Sequence, residues 1–370
     1  MRVLLVGGRS GGHIYALVAV ASVLQARAPE TDLLFVGEAG RMEEDFVPRA
    51  GYRLRTLAMP AATGTAARLL ALPQWYRLYR QALAILREFK PDVVIGSGGQ
   101  VCLPVFLAAH RARVPSVLLE ANAIPGWSVR LACRWARPQV VGLLFPGAAH
   151  RLPAGQRVEA VGYPLRPEIL DTTRAEGVRA LELDPARRTL LVFGGSQGSA
   201  HLNDVLIDWL RRASAAPPAW VDDWQIVHLG GWVNAPSAEP DLQAPLPYHY
   251  LPYLHEMHYA LAAADLVVGR AGATSLAELT ALGLPAVVVP LEGLADNHQV
   301  HNATWVGEAG AARVIPDARF TVDGLAAVLD ELCGDPARLQ ALADVSASLG
   351  RPDSAERVAD LAQALVGGGR

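Results

Sequence analysis

Four times along this chain a short apolar run ends in a glycine-rich loop from which a helix can start. Val3–Val6 leads into Gly7-Gly-Arg-Ser-Gly11-Gly-His13, and Pro91-Asp-Val-Val-Ile95 leads into Gly96-Ser-Gly-Gly99-Gln100. Thr189–Phe193 leads into Gly194-Gly-Ser-Gln-Gly198, and Leu266–Val268 leads into Arg270-Ala-Gly-Ala273. Compact apolar strands alternating with helices predict a parallel sheet covered on both faces. Two such loops in each half predict a two-domain α/β protein whose ligands lie beyond the C-terminal ends of the strands.

The length agrees, since 370 residues fit two domains of roughly 150–200 residues each. Strands are expected at 2–6, 32–36, 53–57, 93–95, 116–119, 140–144 and 158–161 in the first half. In the second half they are expected at 189–193, 224–229, 248–251, 266–268, 286–289 and 312–314. Gly162-Tyr-Pro-Leu-Arg166-Pro167 has no periodicity and reads as a linker, giving domains 1–162 and 163–351. Arg351-Pro-Asp-Ser introduces a last helix, Ala355–Val366, able to pack on either domain.

Cys102, Cys133 and Cys333 have no metal-ligand spacing and form no even disulfide set, which points to a reducing cytosol. Met1 is followed directly by a strand, no signal-peptide pattern appears, and no apolar run approaches the ~20 residues of a membrane span. A soluble or peripheral protein is expected.

The net charge of −3 hides an excess of nine positive charges in residues 1–162 and of twelve negative charges in the rest. The amino half should therefore be drawn to anionic surfaces. No helix-turn-helix, zinc finger or basic-aromatic RNA motif supports a nucleic acid. An anionic membrane fits better, because Leu72, Trp75, Tyr76, Tyr79, Leu83 and Leu86 recur at helical spacing while Arg77, Arg80 and Arg87 share another face. Periodicity alone fits a core helix with a solvated arginine face equally well.

Chemistry concentrates in the loops. Thr274 or Ser275 can cap the helix after Arg270, and its N-terminal N–H groups suit a phosphate. Glu278, one turn on, can accept hydrogen bonds from ribose hydroxyls. Asp296, His298, Gln299 and Asn302 follow the next strand, where they could grip a sugar. Ser196 and Gln197 offer donors in the second glycine loop. His13 falls at the start of the first helix, where the positive helix end favours a neutral imidazole able to act as a base. The dinucleotide-binding glycine spacing is absent.

Taken in order and spacing, these pieces resemble the MurG family of inverting glycosyltransferases, which make lipid II in peptidoglycan synthesis. The resemblance covers nearly the whole chain. Its pieces are Ser10-Gly-Gly-His13, Arg41–Pro48, Pro91–Gly99, Glu120 with Asn122, Phe145-Pro-Gly147, Gly162–Arg166, Gly194–Gly198, Arg270–Ala273, Glu278, Asp296–Gln299 and Asn302-Ala.

It implies a GT-B fold, two Rossmann-like domains facing across a cleft, with the last helix (352–370) returning to the first domain. The second domain would hold UDP-GlcNAc. Glu278 would bind ribose, the backbone near Leu254 would face uracil, and Ser196, Gln197, Arg166 and the Ala273-Thr274-Ser275 amides would hold the pyrophosphate. His298 and Gln299 would contact the GlcNAc hydroxyls, supported by Asn302. The first domain would take lipid I through Ser10, Gly11, Gly12, Gly98, Gly99 and Asn122. His13 would be the general base, with Glu120 in reserve. The stripe of Leu72, Trp75, Tyr76 and Tyr79, with Arg77 and Arg80, would then meet the cytoplasmic face of the bacterial membrane, where cell-wall and division proteins are further partners. No cofactor and no metal are expected in the chemistry. The chain departs from the family pattern at Arg9, Ser10, Ala16, Gln100, Leu103, Leu119, Ala121, Val129 and Tyr163, mostly in the acceptor half. The alternatives are another GT-B enzyme, acting on a different lipid or as a UDP-GlcNAc 2-epimerase, and a non-catalytic UDP-sugar-binding membrane subunit.

Overall fold

The computed structural model describes residues 1–8, 11–60, 71–235, 243–293 and 295–368. It divides into two compact units: Met1–Arg166 with Pro352–Arg370, and Pro167–Arg351.

The first unit contains strands β1 (Arg2–Gly7), β2 (Asp32–Glu38), β3 (Arg53–Leu57), β4 (Val93–Gly98), β5 (Ser116–Glu120), β6 (Val140–Leu143) and β7 (Val158–Glu159). They form one sheet in the order β3-β2-β1-β4-β5-β6-β7, and every pairing is parallel. Helices α1 (Gly11–Arg27), α2 (Glu43–Arg49), α3 (Leu72–Phe89), α4 (Cys102–Ala112) and α5 (Trp127–Trp135) link them. The central strands read as continuous apolar runs because both faces are covered: all of Val93–Gly98 and Ser116–Glu120 is buried. The core joins Leu4, Val6, Val94 and Leu118 of the sheet to Phe106 of α4 and Leu78, Ala82 and Leu86 of α3.

The second unit repeats the plan. Helices α6 (Pro167–Asp171) and α7 (Arg174–Ala180) lead in, followed by β8 (Arg188–Phe193), α8 (Ala200–Ala215), β9 (Trp224–Leu229), β10 (Tyr248–Leu251), α9 (Met257–Ala263), β11 (Leu266–Gly269), α10 (Ala273–Ala281), β12 (Ala286–Val288), α11 (His298–Glu308), β13 (Ala312–Val314), α12 (Val322–Cys333) and α13 (Pro336–Leu349). The sheet order is β10-β9-β8-β11-β12-β13, again wholly parallel. Trp209, Trp220 and Trp224 anchor its core; the first two stack with ring centroids 5.9 Å apart.

Each of the thirteen expected strands is present within a few residues of its expected ends. The largest shortfall is β7, where the Val161 N–H turns back to the Glu159 carbonyl and leaves the ladder. The segment read as a linker contains the join between the units, at Arg166 and Pro167, but it is packed: Gly162–Leu165 is buried, and the Tyr163 hydroxyl donates to the Ser97 carbonyl at 3.4 Å. Tyr163 is tied to the end of β4 and Leu165, close to it in sequence, is buried, so aperiodicity here does not mean exposure. The final helix α14 (Ser354–Gly367) packs against α1 in the first unit, and Arg27 pairs with Asp360 at 2.6 Å.

Candidate active site

In each sheet the strand order reverses once about the first strand of the unit, between β1 and β4 and between β8 and β11. Such switch points open a crevice at the C-terminal ends of parallel strands. Most of the residues singled out from sequence follow those ends.

In the first unit, His13 sits in the first turn of α1. Its Nδ1 lies 2.7 Å from the Gly8 carbonyl oxygen, which can only accept. Nδ1 therefore carries the proton, and Nε2 is the basic nitrogen. The end of β4 closes against the same point. A bulge at Ser97 shifts the β1–β4 register so that Gly7 faces Gly98. A Cβ at Gly98 (φ 108°) would stand 3.0 Å from His13 Nε2, and one at Gly99 (φ 85°) would stand 2.7 Å from the Gly8 oxygen. These two positions need glycine for both conformation and close approach. Gly8 is held from below by buried Glu43 and Glu38; a Cβ there would meet Glu43 Oε1 at 2.4 Å. Gly11 and Gly12 open α1, whereas Ser10 lies outside the described residues.

Glu120 ends β5 and is buried. One carboxylate oxygen accepts from the Asn122 N–H at 2.8 Å and from its side-chain amide at 3.2 Å, and the other accepts from the Gly126 N–H at 2.9 Å. Burial raises its pKa against the opposing pull of those donors. This carboxylate ties residues 120–126 into one shape and sets the position of Asn122. Arg166 lays its guanidinium over the Tyr15 ring of α1, 4.2 Å from the centroid.

In the second unit, α10 begins after Gly272, which is its N-cap and offers no side-chain bond. Thr274 and Ser275 were expected to cap this helix; they sit inside its first turn instead, because the extended Gly272 (φ −64°, ψ 135°) already makes the entry. The consequence is an N-terminus without an internal cap, where backbone N–H groups of residues 273–275 are the natural donors to an anion. Half-buried Glu278 follows on the same helix. Gln299 gives its amide oxygen to the Leu291 N–H at 2.9 Å, and fully buried Asn302 donates to the Ala271 carbonyl at 3.2 Å. Asn302 thus fastens the start of α11 to the loop before α10. Asp296 (φ 60°) and Asn297 (φ 44°) are in the left-handed region, a conformation that costs free energy and persists only where the surrounding structure supports it. His298, beside them, is partly exposed. Ser196 and Gln197 are exposed, and their carbonyls accept from the N–H groups of Trp232, Val233 and Asn234. Partly buried Leu254 follows β10.

Sequence reasoning missed three supporting groups. Arg270 is 7% exposed and is a clamp, not a phosphate ligand: it donates to Ser199 Oγ at 2.7 Å and to the Val289 carbonyl at 3.2 Å, and pairs with Asp317. Asn203 donates to the carbonyls of Gly230 and Asn234 at 3.0 and 2.8 Å and accepts from His228 Nε2 at 3.0 Å. His228 Nδ1 then accepts from the Tyr248 hydroxyl at 2.7 Å. A buried Asn in a helix and a His within an otherwise apolar strand were the only available signals. The third group is Trp232, considered below.

The aromatic stripe of α3 divides. Leu78, Ala82, Leu86 and Phe89 enter the core, so Leu86 belongs with them. Leu72 and Tyr76 are 59% and 61% exposed. With Trp75, Tyr79, Trp127 and Trp135 they line an apolar cavity of about 840 Å³ between α3, α4 and α5, with Arg111 and Arg130 at its wall. Beside it, Arg80, Arg87, Lys90 and Arg111 line a second groove. Arg77 is exposed. Among the described residues no helix is long and apolar enough to cross a membrane, and no group of three or more His, Cys, Asp or Glu is placed to hold a metal.

The glycosyltransferase family 28 N-terminal domain matches residues 3–140, and the family 28 C-terminal domain matches residues 189–358. A Desulforudis audaxviator protein is 38% identical over 100% of both chains; it is a UDP-N-acetylglucosamine--N-acetylmuramyl-(pentapeptide) pyrophosphoryl-undecaprenol N-acetylglucosamine transferase. The crystal structure of Acinetobacter baumannii MurG superposes with a TM-score of 0.75 at 25% identity, covering 98% of this chain and 99% of that one. A UDP-GlcNAc 2-epimerase from Neisseria meningitidis gives 0.67 at 14% identity, covering 97% and 99%, a likeness of fold alone. Two Rossmann-like units of the GT-B class, matched from end to end by relatives of this kind, place the chain in the MurG family of glycosyltransferases.

Proposed function

We propose that this enzyme moves GlcNAc from UDP-GlcNAc to the 4-hydroxyl of the muramyl sugar of lipid I, giving lipid II and UDP in peptidoglycan synthesis. The observation that carries the reading is the His13 imidazole, held by the Gly8 carbonyl with a proton on Nδ1 at the first switch point, in a chain whose full-length relative is named for this transfer.

The first unit supplies the base and the acceptor loops at Gly11, Gly12, Gly98, Gly99 and Asn122, with Ser10 of the same motif. His13 Nε2 takes the proton of the attacking 4-hydroxyl, while Glu120 keeps Asn122 in place and acts as a positioning residue. The sugar oxygen forms a bond to the anomeric carbon as the bond to the UDP β-phosphate oxygen breaks, inverting the centre. The second unit holds the donor. N–H groups at residues 273–275, Ser196 and Gln197 receive the pyrophosphate; Arg166, the residue at which the chain leaves the first unit, is the further charge for it by resemblance to the family. Preorganised donors at the leaving oxygens stabilise charge as it develops. Glu278 binds ribose, the Leu254 backbone faces uracil, and His298 and Gln299 read the GlcNAc hydroxyls with Asn302 behind them. The exposed aromatic groups of α3, the apolar cavity and its arginine rim bind an anionic membrane surface peripherally.

The test is transfer of labelled GlcNAc from UDP-GlcNAc to a short-chain lipid I analogue. A labelled disaccharide lipid is expected, and nothing should form without acceptor. Tight UDP-GlcNAc binding with no lipid product would overturn the acceptor assignment; acceptor-free conversion of UDP-GlcNAc to its 2-epimer would replace the transferase with an epimerase.

A further inference from the structure

Trp232 follows β9 and is 70% exposed, next to Val233 at 67%. A large apolar ring held in water on a turn invites a ligand. The turn itself is rigidly placed. Its Gly231 N–H donates to the Pro252 carbonyl at 2.8 Å, and its Trp232 N–H donates to the Ser196 carbonyl at 3.0 Å. Asn234 adds side-chain bonds to the carbonyls of Gln197 and Gly198 at 3.2 Å each. Gly198 and Gly231 pack backbone to backbone, with space for no side chain at either. The turn after β9 is therefore stitched on one side to the loop after β8 and on the other to the segment after β10, the order in which the three strands lie in the sheet.

Three aromatic rings meet there. The Trp232 indole stands edge-on to Tyr253 with centroids 5.2 Å apart and lies 6.5 Å from His255, and Tyr253 and His255 are 4.9 Å apart. Tyr253 and His255 flank Leu254. The geometry points to Trp232 as a specificity-determining residue of the donor site: its indole, braced by Tyr253, forms the wall against which the uracil ring of the UDP donor packs. This rests on the donor reading above, in which the loop after β8 takes the pyrophosphate and Leu254 faces the base. A residue bonded to the first of these segments and packed ring-on-ring against the second is placed to meet the nucleoside between them. Stacking of a base on an aromatic face gives roughly 1–3 kcal/mol, about fivefold to 150-fold in affinity, with tenfold to a hundredfold as its middle range.

The full-length enzyme would be titrated with UDP and, separately, with inorganic pyrophosphate as a competitor, using wild type, Trp232→Ala, Trp232→Phe and Glu278→Ala. Trp232→Ala should weaken UDP about tenfold to a hundredfold and leave pyrophosphate unchanged, and Trp232→Phe should recover most of the loss. UDP should also quench a component of the tryptophan emission that Trp232→Phe lacks. Equal losses for UDP and pyrophosphate would mean that the indole only shapes the phosphate loop, and would overturn the inference. Unchanged UDP affinity in Trp232→Ala, with a loss in Glu278→Ala, would overturn it while leaving the donor site standing. No UDP binding by wild type would sink the donor reading itself.

Discussion

The helices that start at Gly11 and at Ala273 each leave a strand that borders the switch point of its own sheet, β1 and β11, yet they present different chemistry. In α1 the useful group is a side chain, since His13 is bound at Nδ1 by Gly8 and offers a nitrogen base. In α10 the useful groups are main chain, because Gly272 gives the helix no cap and the residues that follow, Ala273, Thr274 and Ser275, are small. In the function proposed above, a glycine-rich strand-to-helix turn provides proximity, and the first helical turn decides between proton transfer and anion binding. If this division holds, damage to α1 should strike the rate, and damage to α10 should strike donor affinity.

The largest effect is expected from His13→Ala. Loss of a general base costs roughly 10²- to 10⁴-fold in rate. The turnover number should fall by that amount while UDP affinity, measured by calorimetry, stays unchanged. An equal fall in UDP affinity would erase the distinction between the two helix starts.

The second difference concerns the supports beneath the loops. In the second unit the Asn203–His228–Tyr248 chain braces the turn after β9. Burial holds the His228 pKa down at about 4, against 6.5 ordinarily. The unfolded chain takes up the proton near pH 6.5 and the folded unit only near 4. Its contribution is therefore complete above pH 6.5 and is lost as pH falls through that window, about 3 kcal/mol in all. Protonation at Nδ1 would also force the bond with the Tyr248 hydroxyl to reverse its direction. Denaturant unfolding of the full chain at pH 7 and pH 5, followed through the buried Trp209–Trp220–Trp224 cluster, should show the loss, and His228→Gln should flatten it. A wild-type slope no steeper than that of the variant would remove His228 from the account.

The α3 face should matter next. Replacing Arg80 and Arg87 together by Gln should reduce binding to phosphatidylglycerol vesicles roughly tenfold to thirtyfold at moderate salt, while UDP affinity remains intact. Unaltered vesicle binding would assign this face a different role.

Strands were legible because a buried parallel strand is a short unbroken apolar run, and such runs are bounded sharply here by glycine and proline. The positions of His13, Glu120 and the loops after β8, β11 and β12 followed from that register. What each polar group bonds to was not legible. Arg270 looked like part of an anion loop and proves to be a buried clamp, since Ser199 and Asp317, its partners, lie 71 and 47 residues away. Gly162–Leu165 looked loose because packing against a sheet end imposes no period. The α3 stripe mixed two faces because Leu86 and Tyr79 are seven residues apart, close to two full turns, and only the tertiary neighbours separate the core residue from the surface one.

The smallest effect is also the most discriminating. Ala273 is the first residue of α10, where proline is tolerated because its missing N–H has no partner inside the helix. The preceding Gly272 already has the extended conformation that a following proline requires. Ala273→Pro should therefore leave the thermal midpoint close to wild type while removing one donor from the expected pyrophosphate position. A hydrogen bond to a charged group is commonly worth ~1.5–3 kcal/mol, and the lower end, suited to one donor among several, sets the expected rise in the UDP-GlcNAc KM at about tenfold. Turnover at saturating donor should change much less than in His13→Ala. A variant that folds normally and binds donor as well as wild type would show that this helix start, though built like an anion site, is not where the diphosphate sits.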